Sequence, residues 1–162
     1  MATTTTNQDR PGRMRRQAIL FRVVNVPMRR ILGLPFRTPL SKYLMLLYLT
    51  GRRTGKSYRQ PVSYVRDGDT LLTPGGGNWK LNLAPGRPEK IRLAGRDVRA
   101  RPDIVADVDE VDRLLMIMTE ANPRTAGFIP IPRREDGHFD RDGLANAVSH
   151  GFRIVRWRLT GP

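Results

Sequence analysis

The stretch Leu44–Tyr64, LMLLYLTGRRTGKSYRQPVSY, joins an apolar run to a second run with the composition of a strand. The turn between them, Gly51–Ser57, contains two glycines, which allow the backbone to bend tightly and to expose its N–H groups. Cationic side chains surround this turn, namely Arg52, Arg53, Lys56 and Arg59. The stretch therefore predicts two strands joined by a loop with the chemistry of an anion-binding site.

A second loop of similar character follows at Pro74–Lys80, PGGGNWK. Its three glycines make it flexible, and it carries one cation, Lys80, and one large aromatic side chain, Trp79. Two cation-bearing loops in one small domain indicate a ligand that is both phosphorylated and planar.

The composition of the chain limits the classes of function. A chain of 162 residues is large enough to form one domain with a buried core. The absence of cysteine excludes disulfides, thiolate catalysis and Cys-ligated zinc or iron–sulfur sites, and we predict no metal site. The net charge of +14 attracts polyanions of any kind, including nucleic acid, an anionic membrane or an acidic small molecule.

The N-terminal part predicts a polar tail and a basic helix at residues 1–37, before a folded domain at residues 38–162. No apolar stretch approaches the roughly 20 residues that span a bilayer, so we expect a cytoplasmic protein. Residues 13–34 have apolar side chains at helical spacing and several arginines, and Pro27 should kink this helix. Two interpretations stay open: a helix lying on anionic lipid, or a helix packed on the domain with a solvated cationic face.

After Pro39 the pattern is typical of an antiparallel sheet with hairpins at Asp67-Gly68 and Ala94-Gly95. The sequence predicts strands at Tyr43–Thr50, Tyr58–Arg66, Thr70–Thr73, Glu89–Leu93, Arg96–Ile104 and Phe152–Leu159. It predicts helices at Asp107–Glu120 and Asp140–His150, each beginning with acidic residues that suit the helix dipole. The predicted fold class is α+β, mainly β: one small barrel of antiparallel strands with packed helices.

The glycine-rich turn at Gly51–Ser57 does not match the phosphate-binding loop of nucleotide triphosphatases. That motif needs four residues between its first glycine and Gly-Lys-Ser/Thr, whereas three residues separate Gly51 from Gly55. That motif also opens a helix, whereas a strand is predicted here. On composition alone, the alternative is an exposed hairpin with solvated charges.

Four ordered motifs give the chain a resemblance to a known family. They are LTGRRTG at Leu49–Gly55, YVRDG at Tyr64–Gly68, GGGNW at Gly75–Trp79 and the pair Asn82-Leu83, with Arg59 and Pro61 between the first two. In this order they resemble the deazaflavin-dependent nitroreductase family. The resemblance implies a split β-barrel oxidoreductase that binds coenzyme F-420, a deazaflavin whose phosphate and oligoglutamate tail are strongly anionic.

The resemblance also implies roles for individual residues. Arg52, Arg53, Thr54, Gly55 and Lys56 would surround the phosphate, with Arg59 assisting. Pro61 and Val62 would lie against the ring system. The second wall would be Gly75, Gly76, Gly77, Asn78 and Trp79, with Lys80 reaching the tail. Simple core packing is the alternative for Trp79.

The implied reaction is hydride transfer from the reduced deazaflavin to a quinone, a nitroaromatic or another conjugated acceptor. Relatives place C-terminal tyrosines against the substrate, but all four tyrosines here precede residue 65. Phe128 is the candidate for that wall, and no catalytic residue is assigned because the cofactor carries the difficult chemistry. His138 and His150 are more simply explained as surface or capping residues.

Two other classes of function stay open on sequence grounds. Related barrels bind flavin mononucleotide (FMN) or haem, and fold alone does not decide between planar cofactors. A non-enzymatic nucleic-acid or lipid binder would exploit the +14 charge, but the chain has few aromatic residues for base stacking and no nucleic-acid motif, so we expect no specific nucleic-acid partner. Both a monomer and a homodimer are compatible with the sequence.

Overall fold

The computed structural model describes residues 27–75, 77–129 and 131–161, without the side chain of Phe128. Seven strands form one antiparallel sheet in the order β2-β1-β5-β6-β7-β4-β3. They are β1 (Leu44–Thr50), β2 (Ser57–Ser63), β3 (Val65–Asp67), β4 (Thr70–Pro74), β5 (Glu89–Leu93), β6 (Arg96–Val105) and β7 (Ile154–Leu159). The described α-helices that follow the first strand are α1 (Val108–Ala121) and α2 (Arg141–Ser149), and 3-10 helices lie at Pro39–Lys42, Asn78–Asn82 and Pro123–Phe128.

The strand predicted at Tyr58–Arg66 is wrong in one respect, because it is two strands. β2 and β3 lie at opposite edges of the sheet order, although only Tyr64 separates them along the chain. Since one residue can bridge only a few ångströms, the sheet must curl until its two edges lie side by side. Tyr64 fixes this junction: its backbone N–H donates to the Tyr43 carbonyl at 2.9 Å and its hydroxyl donates to the Ser41 carbonyl at 2.8 Å.

The concave face of the curled sheet holds one apolar core. Its centre is Trp157, which is fully buried and donates its indole N–H to the Thr73 hydroxyl at 3.0 Å. Trp79 stacks against Trp157 with ring centroids 6.4 Å apart. The cluster draws on both halves of the sheet, with Met45, Leu47, Leu49, Val62, Leu71, Leu83, Ile91, Leu93, Ala100 and Val155. Residues of β2 and β4 therefore share one core, as the curling requires.

The convex face is covered in part by α1 and α2, which bury a second apolar cluster against β3, β4, β6 and β7. Both predicted helices are confirmed to within one or two residues at each end. Asp107 and Asp140 precede them, and each carboxylate accepts a backbone N–H of the first turn, from Glu110 at 2.9 Å and Gly143 at 2.8 Å. The predicted α+β class, with helices packed on an antiparallel split barrel, is confirmed.

Both predicted hairpins are present. Gly68 joins β3 to β4 with a φ of 56°, and Ala94 and Gly95 join β5 to β6 with φ of 49° and 81°. Gly95 is required for a second reason, because a Cβ there would lie 2.6 Å from the Phe36 carbonyl carbon. The chain before the first 3-10 helix therefore passes directly over this turn.

Residues 27–32 are helical, and the predicted tail and most of the predicted helix at residues 13–34 lie outside the described residues. Leu32 is buried, and the Gly33 carbonyl accepts a hydrogen bond from the Arg92 guanidinium on β5. In the described part of the chain, none of the helices has the length and apolar character needed to cross a membrane.

Replacing Tyr64 by Phe tests the junction between β2 and β3. The variant keeps the ring but loses the hydrogen bond to the Ser41 carbonyl, so we expect the free energy of unfolding to fall by about 1 kcal/mol. Tyr43→Phe is the control, because the Tyr43 side chain is 48% exposed and its hydroxyl makes no hydrogen bond to the described residues. Urea denaturation measures both; equal stability of the two variants would contradict the role of Tyr64.

Candidate functional site

The two loops that the sequence singled out meet in one cleft of about 380 Å³. One wall is the turn between β1 and β2, and the other is the 3-10 helix Asn78–Asn82. The lining residues are Gly51, Arg52, Arg53, Thr54, Asn78, Leu81 and Asn82. We call this space the loop cleft.

Asn82 connects the two walls of the loop cleft. Its side-chain oxygen accepts the backbone N–H of Arg52 at 2.9 Å, and its amide nitrogen donates to the Tyr58 hydroxyl at 2.5 Å. One side chain thereby positions the β1–β2 turn relative to the 3-10 helix. These two bonds connect the loops directly.

The β1–β2 turn is organised by its own backbone. The Gly51 N–H donates to the Lys56 carbonyl at 2.9 Å, and the Gly55 N–H donates to the Gly51 carbonyl at 2.8 Å. Gly55 has a φ of 67°, and a Cβ on Gly51 would lie 2.7 Å from the Thr54 hydroxyl. Within the described residues, the amides of Arg53 and Thr54 make no hydrogen bond and are free for an anion.

The charge of the turn is not neutralised by the residues that the structure describes. Arg52, Arg53 and Lys56 are exposed, and the ion pairs formed within the described residues involve other cations. Three like charges on five consecutive residues repel one another, so a bound anion would remove an unfavourable interaction as well as add favourable ones. This arrangement fits a phosphate or carboxylate group.

A larger cleft of about 730 Å³ adjoins the loop cleft and shares Asn78 and Leu81 with it. Its walls are mainly apolar, and its polar groups lie at Asn78, Lys80, His150 and Arg153. The remaining lining residues are Pro74, Leu81, Ile104, Ala147, Gly151 and Phe152. We call it the apolar cleft, and together the two clefts form a continuous groove with a cationic end and an apolar end.

Lys80 and Arg153 place two cations at the apolar cleft. Lys80 is only 9% exposed, and its ammonium group donates to the Gly77 carbonyl at 2.8 Å. Burial lowers the pKa of Lys80, and the nearby charge of Arg153 lowers it further. Arg153 is held at the end of α2, where its guanidinium donates to the Val148 and Phe152 carbonyls at 2.6 and 2.7 Å. An electron-rich oxygen in this cleft would be stabilised by both groups.

Gly75 and Gly77 allow close packing in the second loop. A Cβ on Gly75 would lie 3.0 Å from the Arg153 carbonyl oxygen, and one on Gly77 would lie 2.8 Å from Cδ1 of Trp79. Trp79 itself is only 9% exposed and stacks on Trp157, so the core-packing alternative describes its position. Gly76 and the side chain of Phe128 lie outside the described part of the structure.

The structure does not bring Arg59 to the loop cleft. Side chains alternate along β2, and Tyr58 and Val62 pack into the concave core. Arg59 lies on the opposite face, with its guanidinium 5.7 Å from the centre of the Tyr48 ring and near Gly33. The same alternation places Pro61 on the face opposite Val62, so the two side chains cannot contact one face of a ring together.

Sequence reasoning missed several residues of the groove. Tyr58 supports the groove through its hydrogen bond with Asn82, and it could have been found from the period of two along β2, because it shares the face of Val62. Ile104, Phe152 and Arg153 come from β6 and the segment before β7, and no local pattern connects them with the glycine-rich loops. His150 was interpreted as a capping residue, and its Nδ1 does lie 2.7 Å from the Asn146 carbonyl oxygen of α2, although its ring also lines the apolar cleft.

Comparisons with known proteins point to one family. The family described as F420H2-dependent quinone reductase matches residues 14–127, which is more than half of the chain. No curated protein matches the chain significantly. A solved structure described as a domain-swapped dimer is 14% identical, with a TM-score of 0.50, and the alignment covers 83% of this chain and 96% of that one. This likeness supports the fold.

Two further solved structures are similar at lower scores. One is described as an F420-H2 dependent reductase, with 13% identity, a TM-score of 0.48, and coverage of 72% of this chain and 95% of that one. The other is described as an F420 reductase, with 15% identity, a TM-score of 0.42, and coverage of 82% and 93%.

Replacing Asn82 by Ala tests the connection between the two loops. The Arg52 N–H loses its acceptor, so we expect its hydrogen exchange to become roughly fivefold faster, which corresponds to about 1 kcal/mol. Asn78→Ala is the control, because Asn78 lines the same cleft without bonding to the turn. Amide exchange followed by NMR measures the effect. An unchanged rate for Arg52 in the Asn82 variant would contradict the connection.

Proposed function

Because the chain belongs to the F420H2-dependent quinone reductase family, we propose that its loop cleft binds the anionic end of the deazaflavin coenzyme. Membership of this family makes the chain an oxidoreductase that uses reduced coenzyme F-420 and reduces a quinone. The observation that supports the location is the pair of cations on one wall of the cleft, Arg52 and Arg53, which form no ion pair within the described residues; Lys56 follows at the end of the same turn.

The residues of the loop cleft fit a phosphate group in both charge and donors. Arginine side chains present paired N–H donors that match phosphate oxygens. The amides of Arg53 and Thr54, which bond to none of the described residues, add two backbone N–H donors. Gly55 adopts the left-handed backbone conformation that the turn contains, and Asn82 holds the turn against the second loop. Arg59 is outside the proposed set because it faces the other side of β2.

The bound coenzyme supplies a hydride at its ring, and the protein provides the binding, orientation and exclusion of water. We propose that the ring lies along Asn78 and Leu81, where the loop cleft meets the apolar cleft. Val62, Gly75 and Gly77 would support this wall, with Trp79 packed behind it. Pro61, Gly76 and Phe128 remain part of the sequence-based prediction, and Phe128 would add an aromatic side chain on the acceptor side.

The apolar cleft is the proposed site of the quinone. Its side chains Leu81, Ile104 and Phe152 suit a flat apolar ring and exclude water from it. The ammonium group of Lys80 and the guanidinium of Arg153 are available for a quinone oxygen, which gains negative charge as it is reduced. Because burial lowers the pKa of Lys80, its Nζ gives up a proton more readily than an exposed lysine does.

Alanine substitutions in the β1–β2 turn test the coenzyme site. Arg53→Ala and Lys56→Ala should each weaken binding of the oxidised coenzyme by about 1 to 3 kcal/mol, since each removes a charge-assisted contact. Arg59→Ala is the matched control: it removes the same charge from the next strand, but on the opposite face, so its affinity should stay close to that of the unmodified protein. Fluorescence titration of the coenzyme measures all three. Equal loss in the Arg59 variant would contradict the proposed location.

We further propose a cytoplasmic protein, monomeric or homodimeric, that makes peripheral contact with an anionic membrane through the region that includes residues 13–34. The described part of this region supports the proposal. Ile31, Leu34 and Phe36 are exposed apolar side chains, and Phe36 is 59% exposed. Arg30 and Arg37 lie beside them in the sequence, and this combination of exposed apolar and cationic residues is typical of interfacial segments.

Replacing both Leu34 and Phe36 by Ser tests the membrane contact. We expect the fraction that sediments with phosphatidylglycerol-containing vesicles to fall at least threefold, because the apolar surface that inserts at the interface is lost. Leu81→Ser is the control for vesicle binding, since Leu81 is also an exposed large apolar residue but lies elsewhere on the surface. Equal sedimentation of the two variants would contradict the contact.

A further inference from the structure

A second cationic cleft, of about 580 Å³, lies apart from the groove described above. Four cations line it, and they come from different parts of the fold: Arg37 before the first 3-10 helix, Lys42 at its end, Arg66 on β3 and Arg96 on β6. We call it the distal cleft. The folding of the chain, and not a run of basic sequence, brings these side chains together.

The distal cleft and the loop cleft lie at opposite ends of β1. Tyr43, which precedes β1, lines the distal cleft, whereas Gly51, which follows β1, lines the loop cleft. A strand of seven residues spans about 20 Å, so a single phosphate group cannot contact both. The Ala94-Gly95 turn of the β5–β6 hairpin lies at the same end of the sheet as Tyr43, because Ala94 also lines the distal cleft.

The positive charge of the distal cleft is not balanced within the part of the chain that the structure describes. Among the described residues, no carboxylate lines this cleft and none of its four cations forms an ion pair. The acidic neighbour in sequence, Asp97, pairs with Arg92 at 2.6 Å and with Lys90 at 2.8 Å. The hydrogen bond from Arg92 is the main reason that the pKa of Asp97 falls to about 2, so this carboxylate is already engaged.

The surroundings of the cations favour a compact, multiply charged anion. Val65, Leu93 and Val98 provide apolar walls, and the four cations themselves are exposed and accessible to an anion. Tyr64 is half-buried in the cleft: burial raises the pKa of its hydroxyl, and the charges of Arg66 and Arg37 oppose this rise. Both charges are therefore felt at the Tyr64 hydroxyl.

We propose that the distal cleft binds a phosphate group, independently of the coenzyme site. Three of its four cations are arginines, whose paired N–H donors match phosphate oxygens better than a lysine does. The N-terminal 26 residues of the chain are unsuited as the ligand, because they carry five arginines and one aspartate. The phosphate belongs either to a soluble phosphate ester or to the headgroup of an anionic lipid.

Titration with inorganic phosphate, followed by NMR of the full chain labelled with ¹⁵N, tests this proposal. We expect saturable shifts of the backbone amides of Tyr43, Ala94 and Asn122, which line the distal cleft. Shifts of the Arg53 and Thr54 amides report separately on the loop cleft.

Arg66→Ala and Arg96→Ala should each weaken phosphate binding in the distal cleft about tenfold, as the loss of one charge-assisted contact does. Arg101→Ala is the matched control, since Arg101 is exposed on β6 and does not line the cleft.

Three results would overturn the proposal: shifts confined to the loop cleft, shifts that do not saturate, or equal phosphate affinity in the Arg66, Arg96 and Arg101 variants.

Binding to vesicles of phosphatidylcholine with phosphatidylglycerol then identifies the source of the phosphate. Weaker vesicle binding by the Arg66 and Arg96 variants than by the Arg101 variant assigns a lipid headgroup. Unchanged vesicle binding together with weakened phosphate binding assigns a soluble phosphate ester. Either assignment supports the distal phosphate site. Neither assignment depends on whether the coenzyme binds at the loop cleft.

Discussion

The single-residue link at Tyr64 is the constraint on which the rest of the structure depends. It joins the two strands at the opposite edges of the sheet, so the edges cannot separate by more than one residue allows. An open, flat sheet is therefore impossible for this chain, and the concave face must enclose a core. The two hydrogen bonds of Tyr64, to the Tyr43 and Ser41 carbonyls, hold this junction on both sides. Trp157, Trp79 and Leu83 fill the space that the curling creates.

The curling of the sheet also accounts for the position of the groove. Once the sheet is curled, the segment that follows β4 crosses the open end of the core and places Trp79 inside it. The neighbouring residues Asn78, Leu81 and Asn82 then face outward, against the β1–β2 turn. The cations of that turn have no protein partner among the described residues, and this is electrostatically unfavourable without a ligand. The deazaflavin coenzyme that this family uses has the opposite charge, in its phosphate and its oligoglutamate tail.

Much of this fold could be predicted from the sequence because its signals are local. Hairpin turns with glycine, alternation along β5 and acidic residues at the start of α1 each depend on neighbours within a few positions. The split at Tyr64 could not be predicted in this way, because the breaker residue in the run from Tyr58 to Arg66, Pro61, lies within β2 and not at the split. The two glycine-rich loops were predicted to act together, and they do line one cleft. The position of Arg59 was missed because its charge was considered without the face of β2 on which it lies.

The apolar cleft marks the limit of sequence reasoning for this protein. Its walls come from the second loop, the end of β6 and the segment between α2 and β7, which only tertiary structure brings together. The same holds for the distal cleft, whose four cations span residues 37 to 96. In both clefts the residue types are common ones, and only their positions in the tertiary structure indicate a binding site.

A crystal structure of the protein with the oxidised coenzyme tests the central claim most directly. The claim is that the turn between β1 and β2 holds the anionic end of the coenzyme and that the ring lies toward the apolar cleft. The account predicts phosphate oxygens within about 2.7 to 3.2 Å of donors on Arg53 and its neighbours, with the ring beside Leu81. A phosphate bound in the distal cleft, with Arg53 and Lys56 extending into solvent, would contradict it.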